Sequence, residues 1–230
     1  MGPIGIAMAV SIPLLAHLAR AGVWSAPPHV YAAAVPAVLG VAIWARGVAR
    51  RPLTAAAVTV FGALYTGATL AYGYALRYHR FTIDQRSGAL LVLLPLILTW
   101  TSDIGAYAVG RLMGRHKLIP AVSPGKTVEG ALGGLLATMA VAVLFERMLL
   151  APHAHLALPG WRALAFGALI SIVAQIGDLA ESLLKREAGV KDSSRILPGH
   201  GGILDRFDSL FFVLPTAYLL LDLWLVAIPG

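Results

Sequence analysis

The 230 residues contain no cysteine, which excludes disulfides, thiolate metal sites and a cysteine nucleophile. Charge is scarce as well. Asp, Glu, Lys and Arg make up 13% of the chain, roughly half the quarter usual in soluble domains. That shortage excludes a disordered chain, a coiled coil and an ordinary cytosolic enzyme. Acids are the rarer sign, 11 against 18 Lys and Arg, and the net charge is +7. Few long basic stretches lie outside the apolar segments. A phospholipid surface or a phosphate-bearing substrate therefore suits the charge better than nucleic acid does. Long polar segments are missing except at 111–127 and 185–206, and neither an internal repeat nor a linker to a soluble domain is visible.

What the chain does have is apolar length. Hydrophobic residues make up 58%, the mean hydropathy is +0.78, and there are 24 Gly and 14 Pro. Both of the latter are more frequent in membrane helices than in soluble ones. A spanning helix needs about 20 mostly apolar residues, and the stretches 3–23, 29–45, 53–76, 88–113, 128–150, 161–184 and 207–228 predict seven spans. The first lacks a basic start and a cleavage pattern, so it reads as a span and not a signal peptide. The expected fold is all-α, a polytopic integral membrane protein with a single membrane domain over 1–230.

Alternating the span ends gathers Arg46, Arg50, Arg51, Arg111, Arg115, Lys117, Lys126, Lys185, Arg186, Lys191, Arg195 and Arg206 on one side, twelve of the eighteen cations. The positive-inside rule places that side in the cytoplasm. Both polar segments share it, which predicts a cytoplasm-facing polar site in a cell membrane (plasma or inner). Trp24, Trp44, Trp100, Trp161 and Trp224 fall near span ends, as interfacial anchors do.

Ionisable residues inside spans are costly and mark function. Asp103 interrupts an apolar run, and on a helix it shares a face with Tyr107, Gly110 and Arg111. A structural Asp–Arg or Asp–Tyr contact is the plain alternative. In Ser123–Gly134, Pro124 after Ser123 predicts a helix start with Ser123 as N-cap, and Lys126 and Thr127 would then bring charge to an anion-binding helix end. Position 120 is Pro120, so this is not a Walker A loop. Gly130 and Gly134 have the spacing of a close helix contact, although ordinary packing is the preferred reading among so many glycines.

The segment Gly177–Ser209 is the most informative. Asp178, Glu181, Ser182 and Lys185 share one helical face. A loop follows with Lys191, Asp192 and Arg195, and with Pro198, Gly199, Gly201 and Gly202 around His200. A helix then restarts with Asp205 and Asp208 at i and i+3, on one face, and with Arg206 beside them. Carboxylates at membrane-helix ends beside several cations suit a hard divalent ion and the phosphates it bridges. Zinc fits poorly without Cys or paired His, and His153 and His155 read as exposed loop residues.

Ser182-Leu-Leu-Lys185-Arg186, then Lys191-Asp192, then Pro198-Gly-His200-Gly201-Gly202-Ile-Leu-Asp205-Arg206-Phe-Asp208 resembles the signature of the phosphatidate cytidylyltransferase (CDP-diacylglycerol synthase) family. Asp103 with Ala106-Tyr107 and Gly110-Arg111, Ser123-Pro124 with Lys126-Thr127 and Gly130, and Gly177-Asp178-Leu179 are similar to the family's upstream pieces. The resemblance covers residues 98–213, while 1–97 carry no motif. Family members usually begin with one or two further spans. Ser194 and Arg195 stand where Gly and a variable residue are often found.

The resemblance implies transfer of CMP from CTP to phosphatidate, giving CDP-diacylglycerol and pyrophosphate in phospholipid biosynthesis, with Mg²⁺, for which Mn²⁺ can substitute. It also implies a homodimer. The metal residues it implies are Asp178, Asp205, Asp208 and Asp103. The phosphate-neutralising cations are Lys126, Lys185, Arg186 and Lys191. Ser123, Thr127, Ser182, His200, Gly201, Gly202 and Arg206 would contact the substrates. A transporter is the alternative of a different class, because it too places acids in spans.

Overall fold

The computed structural model describes residues 1–46, 48–194, 202 and 204–228. His200 and Gly201, expected to shape the loop over the nucleotide, lie outside the described residues, as does Arg195. Among the described residues seven helical stretches are long and apolar enough to cross a membrane: Gly2–Arg20, Pro28–Arg46, Pro52–Arg77, Gln85–Met113, Val128–Ala154, Arg162–Glu187 and Leu204–Trp224. The seven expected spans are therefore present, and the fold is all-α apart from two short two-stranded ladders. The chain divides into two compact units, Met1–Tyr74 and Ala75–Gly230, and residues 98–213 fall in the second.

The first unit holds α1 (Gly2–Arg20), α2 (Pro28–Arg46), α3 (Pro52–Ala63) and most of α4 (Thr69–Arg77). A π turn at Leu64–Ala68 joins α3 to α4. Pro near the first helical position starts both α1 and α3, where its missing N–H leaves nothing unsatisfied. The His17 ring and the Tyr74 hydroxyl, 2.9 Å apart, tie α1 to α4.

In the second unit α5 (Gln85–Met113) begins with a capping box: Asp84 accepts from the Ser87 N–H at 2.7 Å, and Ser87 Oγ accepts from the Asp84 N–H. That bond holds the Asp84 carboxyl below the usual carboxylate range. α6 (Val128–Phe145) lies along α5 at backbone contact. A methyl group on Gly134 would stand 2.7 Å from the Ser102 carbonyl oxygen, and one on Gly130 would stand 2.7 Å from that of Ala106. The Gly130/Gly134 spacing thus marks a close helix contact, the arrangement by which small residues let membrane helices approach. Beyond the single turn α7 (Ala151–Ala154), α8 (Arg162–Glu187) packs on α6 and on α10 (Leu210–Trp224). Leu91, Leu94 and Leu98 of α5, Phe166 and Ile170 of α8 and Leu221 of α10 have no solvent exposure, on three helices that pack on one another.

Two sequence expectations fail here. Ser123–Thr127 is not a helix start but a strand, β2, antiparallel to β1 (Lys117–Ile119) with Lys117 opposite Thr127. The cap of α6 is Thr127, whose Oγ1 accepts from the Gly130 N–H at 3.2 Å. Extended backbone suits the residue before a proline, and a threonine cap four residues downstream replaces the serine. Asp205 and Asp208 do not share one helix face either. α9 (Leu204–Phe207) is a single turn, and Asp208 and Ser209 form a turn before α10 begins.

Candidate active site

The site grows from the hairpin. Glu129, in the first turn of α6, accepts from the Arg115 and His116 N–H groups at 3.1 and 3.2 Å and contacts the His116 ring at 2.5 Å. The Val128 N–H donates to the His116 carbonyl at 2.9 Å. These bonds clamp the hairpin onto α6 and swing β2 over the ends of α5 and α8. The result is a cavity of about 470 Å³ lined by Asp103, Tyr107, Gly110 and Arg111 from α5, Ser123, Gly125, Lys126 and Thr127 from β2, Gly130 and Ala131 from α6, and Gln175 and Asp178 from α8.

Lys126 Nζ lies 2.5 Å from Asp178 Oδ2, with both side chains partly open to solvent. Each is the other's counter-ion in the free protein. An entering phosphate competes for Lys126, and an entering cation competes for Asp178. Asp103 lines the same cavity, within electrostatic reach of Asp178, Asp208 and Lys126. Arg111 donates to the Tyr107 hydroxyl at 2.7 Å and not to Asp103. Arg111 and Tyr107 thus pair with each other along α5.

A second cluster stands behind the first. Lys185 Nζ bridges Glu181 at 2.5 Å and Asp205 at 2.9 Å, and the Glu181 side chain is 1% exposed. Asp205 also accepts from the Ser193 N–H at 3.0 Å, the Ser193 hydroxyl at 2.8 Å and the Gly202 N–H at 2.7 Å. Its carboxylate therefore pins both ends of the loop after α8. Gly189, with φ +68°, ends that helix and starts the loop, in the left-handed conformation glycine adopts without steric cost.

The structure thus gathers Asp103, Ser123, Lys126, Thr127 and Asp178 in one pocket and Lys185, Gly202 and Asp205 in a largely buried network around Glu181. Arg186, Lys191 and Arg206 are exposed, and Ser182 is half-buried. Asp208 accepts from the Ser209 N–H at 2.6 Å. His153 and His155 are exposed. Sequence reasoning missed Gln175, which donates to the Ala131 carbonyl at 3.2 Å and the Ser171 hydroxyl at 3.1 Å. Its signal was a lone amide one turn before Asp178. Ser193 carried no signal.

Among the described residues no three His, Asp or Glu side chains form a metal cage. Mg²⁺ keeps several waters and needs only one or two carboxylates beside phosphate oxygens. Asp103 and Asp178, hard oxygen donors on one pocket wall, fit that demand. Asp205 fits it only by exchanging the donors it now holds.

The family model described as "Cytidylyltransferase family" matches residues 3–224. The chain belongs to that family. It is 45% identical over 166 residues to a phosphatidate cytidylyltransferase of Staphylococcus haemolyticus, covering 72% of this chain and 59% of that protein. To one of Bacillus subtilis it is 43% identical over 162 residues, covering 70% and 56%. To one of Staphylococcus saprophyticus it is 49% identical over 142 residues, covering 61% and 53%. The chain thus spans little more than half the length of these relatives. The family resemblance read from the signature residues is borne out.

Proposed function

We propose that this protein transfers CMP from CTP to phosphatidate, releasing pyrophosphate and forming CDP-diacylglycerol, in a Mg²⁺-dependent reaction at the cytoplasmic face of a cell membrane. The observation that carries the reading is the Lys126–Asp178 pair in a pocket that Asp103 shares, on a chain of the cytidylyltransferase family.

A phosphate oxygen of phosphatidate attacks the α-phosphorus of CTP as the bond from that phosphorus to the α–β bridging oxygen breaks. The nucleophile is already anionic near neutral pH, because a phosphomonoester's second pKa is about 6, so no general base is required. The obstacle is repulsion between two anions, and catalysis is charge neutralisation and in-line positioning. Lys126, released from Asp178, meets the triphosphate. Ser123, Thr127 and the backbone of Gly125 offer hydrogen bonds from β2. Arg111 stands on the same wall, and Arg186 and Lys191 supply charge at the outer loop. Asp178 and Asp103, with Asp208 near them, would hold the divalent ion, which supplies positive charge to the phosphates. Lys185, Glu181 and Asp205 position the loop that carries the signature glycines. The lipid enters sideways, since its chains cannot cheaply cross water.

The test uses detergent-purified protein, phosphatidate and CTP labelled at the α-phosphate. Metal-dependent passage of label into a chloroform-soluble product is the expected result. No transfer with either Mg²⁺ or Mn²⁺ would direct the search to other lipid phosphates, and failure there would favour the transporter alternative.

A further inference from the structure

Residues 1–83 contain no Asp or Glu, so the first unit has no carboxylate at all while holding Arg20, Arg46, Arg50 and Arg51. Arg46, Arg50 and Arg51 line one end of a cavity of about 640 Å³. Arg46 ends α2 and Arg51 precedes α3, so all three stand at the headgroup level of the spans. Arg51 has φ 48° and ψ 64°, a strained left-handed conformation of the kind that persists at ligand clamps.

From the arginines the cavity runs inward along Ile6 of α1 and Val58 and Gly62 of α3. The Thr59 and Thr66 hydroxyls donate to the Ala55 and Gly62 carbonyls of their own helix, which leaves the wall apolar. The inner end closes where Gly67, in the π turn after α3, lies against α1; a methyl there would stand 2.7 Å from Ala9 Cα. Arg51 to Thr66 is about 22 Å of helix, more than half of a hydrocarbon core about 30 Å thick.

We propose that this groove binds an acidic glycerophospholipid, with its phosphate on Arg46, Arg50 and Arg51 and one acyl chain between α1 and α3. Three cations without an acidic neighbour in their unit, at the mouth of an apolar slot of acyl-chain depth, are complementary to that ligand. A zwitterionic lipid would bring its own cation to the same place. The site uses only residues of the first unit and does not depend on the proposed reaction.

The test is native mass spectrometry of the full chain in detergent, titrated with dioleoylphosphatidylglycerol or dioleoylphosphatidylcholine. Wild type should retain the phosphatidylglycerol preferentially, and each Arg→Gln change at 46, 50 or 51 should weaken retention by about fivefold. Gly62→Leu should fill the groove, which Gly62 lines, and a methyl group at that position meets nothing within 4 Å. Lys126→Met, which removes the cation of the other pocket, should leave retention unchanged. Equal retention of the two lipids would overturn the proposal, as would a preference that survives R46Q/R50Q/R51Q. Full binding by Gly62→Leu would show headgroup attraction without a groove, and loss in Lys126→Met would place the lipid in the other pocket. If the triple variant elutes as aggregate, the single Arg50→Gln and Gly62→Leu variants decide the matter.

Discussion

Two lysines in the second unit each pair with acids, and their surroundings separate their roles. Lys126 and Asp178 are both partly exposed, so breaking that pair removes little stability. Lys185 sits between two acids, one of them nearly fully buried, and removing it leaves carboxylates without a counter-ion in the interior. Lys126→Met and Asp178→Asn should therefore lower turnover by about 100-fold or more, as for a lost charge-stabilising group, with unchanged thermal unfolding. Lys185→Met should cost about 3 kcal/mol of stability, measured by denaturation in detergent. Near-normal turnover of Asp178→Asn would remove it from the metal assignment. The i, i+4 spacing of Glu181 and Lys185 was legible in the sequence. That both point inward, with Asp205 as a third partner, was not, because spacing fixes a helix face and says nothing of what covers it.

At the scale of elements, spans read clearly because each needs a long apolar run, and no other local signal is as extended. The hairpin at 117–127 did not, because its strands are three and five residues long and its order comes from Glu129, an element away. Seen as a helix start, Ser123-Pro124 put Lys126 at a helix terminus; as a strand it puts Lys126 across from Asp178. The α5–α6 contact was half legible: the glycine spacing was visible but not its partner backbone. Gly134→Ala should push these helices apart, since the new methyl lies 2.7 Å from the Ser102 carbonyl and 3.2 Å from Ala106 Cβ, at a cost of about 1–3 kcal/mol. Gly125→Ala, where nothing stands within 4 Å, is the matched control. Equal unfolding temperatures for the two variants would mean that α5 and α6 do not meet as closely as described.

At the scale of the whole second unit, the end opposite the pocket is closed by His79. Its ring is buried against Phe81 and Tyr218, with centroids 5.6 and 5.1 Å away. Its Nε2 faces Asp222 at 3.6 Å, and Arg80 pairs with the same carboxylate at 2.9 Å. Burial lowers the His79 pKa, with Arg80 adding to the effect against the pull of Asp222. The unfolded chain therefore takes up this proton at a higher pH than the folded one. Stability from this group should be complete above about pH 6.5 and fall as the pH drops below it. Unfolding temperatures of wild type and His79→Gln across pH 5 to 8 should converge toward the acid end. A constant difference would assign His79 a packing role alone.

The absence of cysteine makes the sidedness of the molecule directly testable. α8 runs 26 residues from Arg162 to Glu187, about 39 Å along its axis, enough to cross a bilayer core. Exposed His153 precedes it and exposed Lys191 follows it, so a single cysteine at either position reports one end of the same helix. Alternation of the spans along the sequence predicts twelve of the eighteen cations on the Lys191 side, although several of them line or flank the pocket, where an anionic substrate alone would select them. Charge bias and substrate binding thus predict the same residues for different reasons, and only a measurement of side separates them. With an impermeant maleimide on intact cells, His153→Cys should label and Lys191→Cys should label only after permeabilisation. The reverse pattern would leave the pocket chemistry intact but move it to the outer face, away from cytoplasmic CTP. That pattern would undo the proposed reaction more thoroughly than the loss of any one side chain.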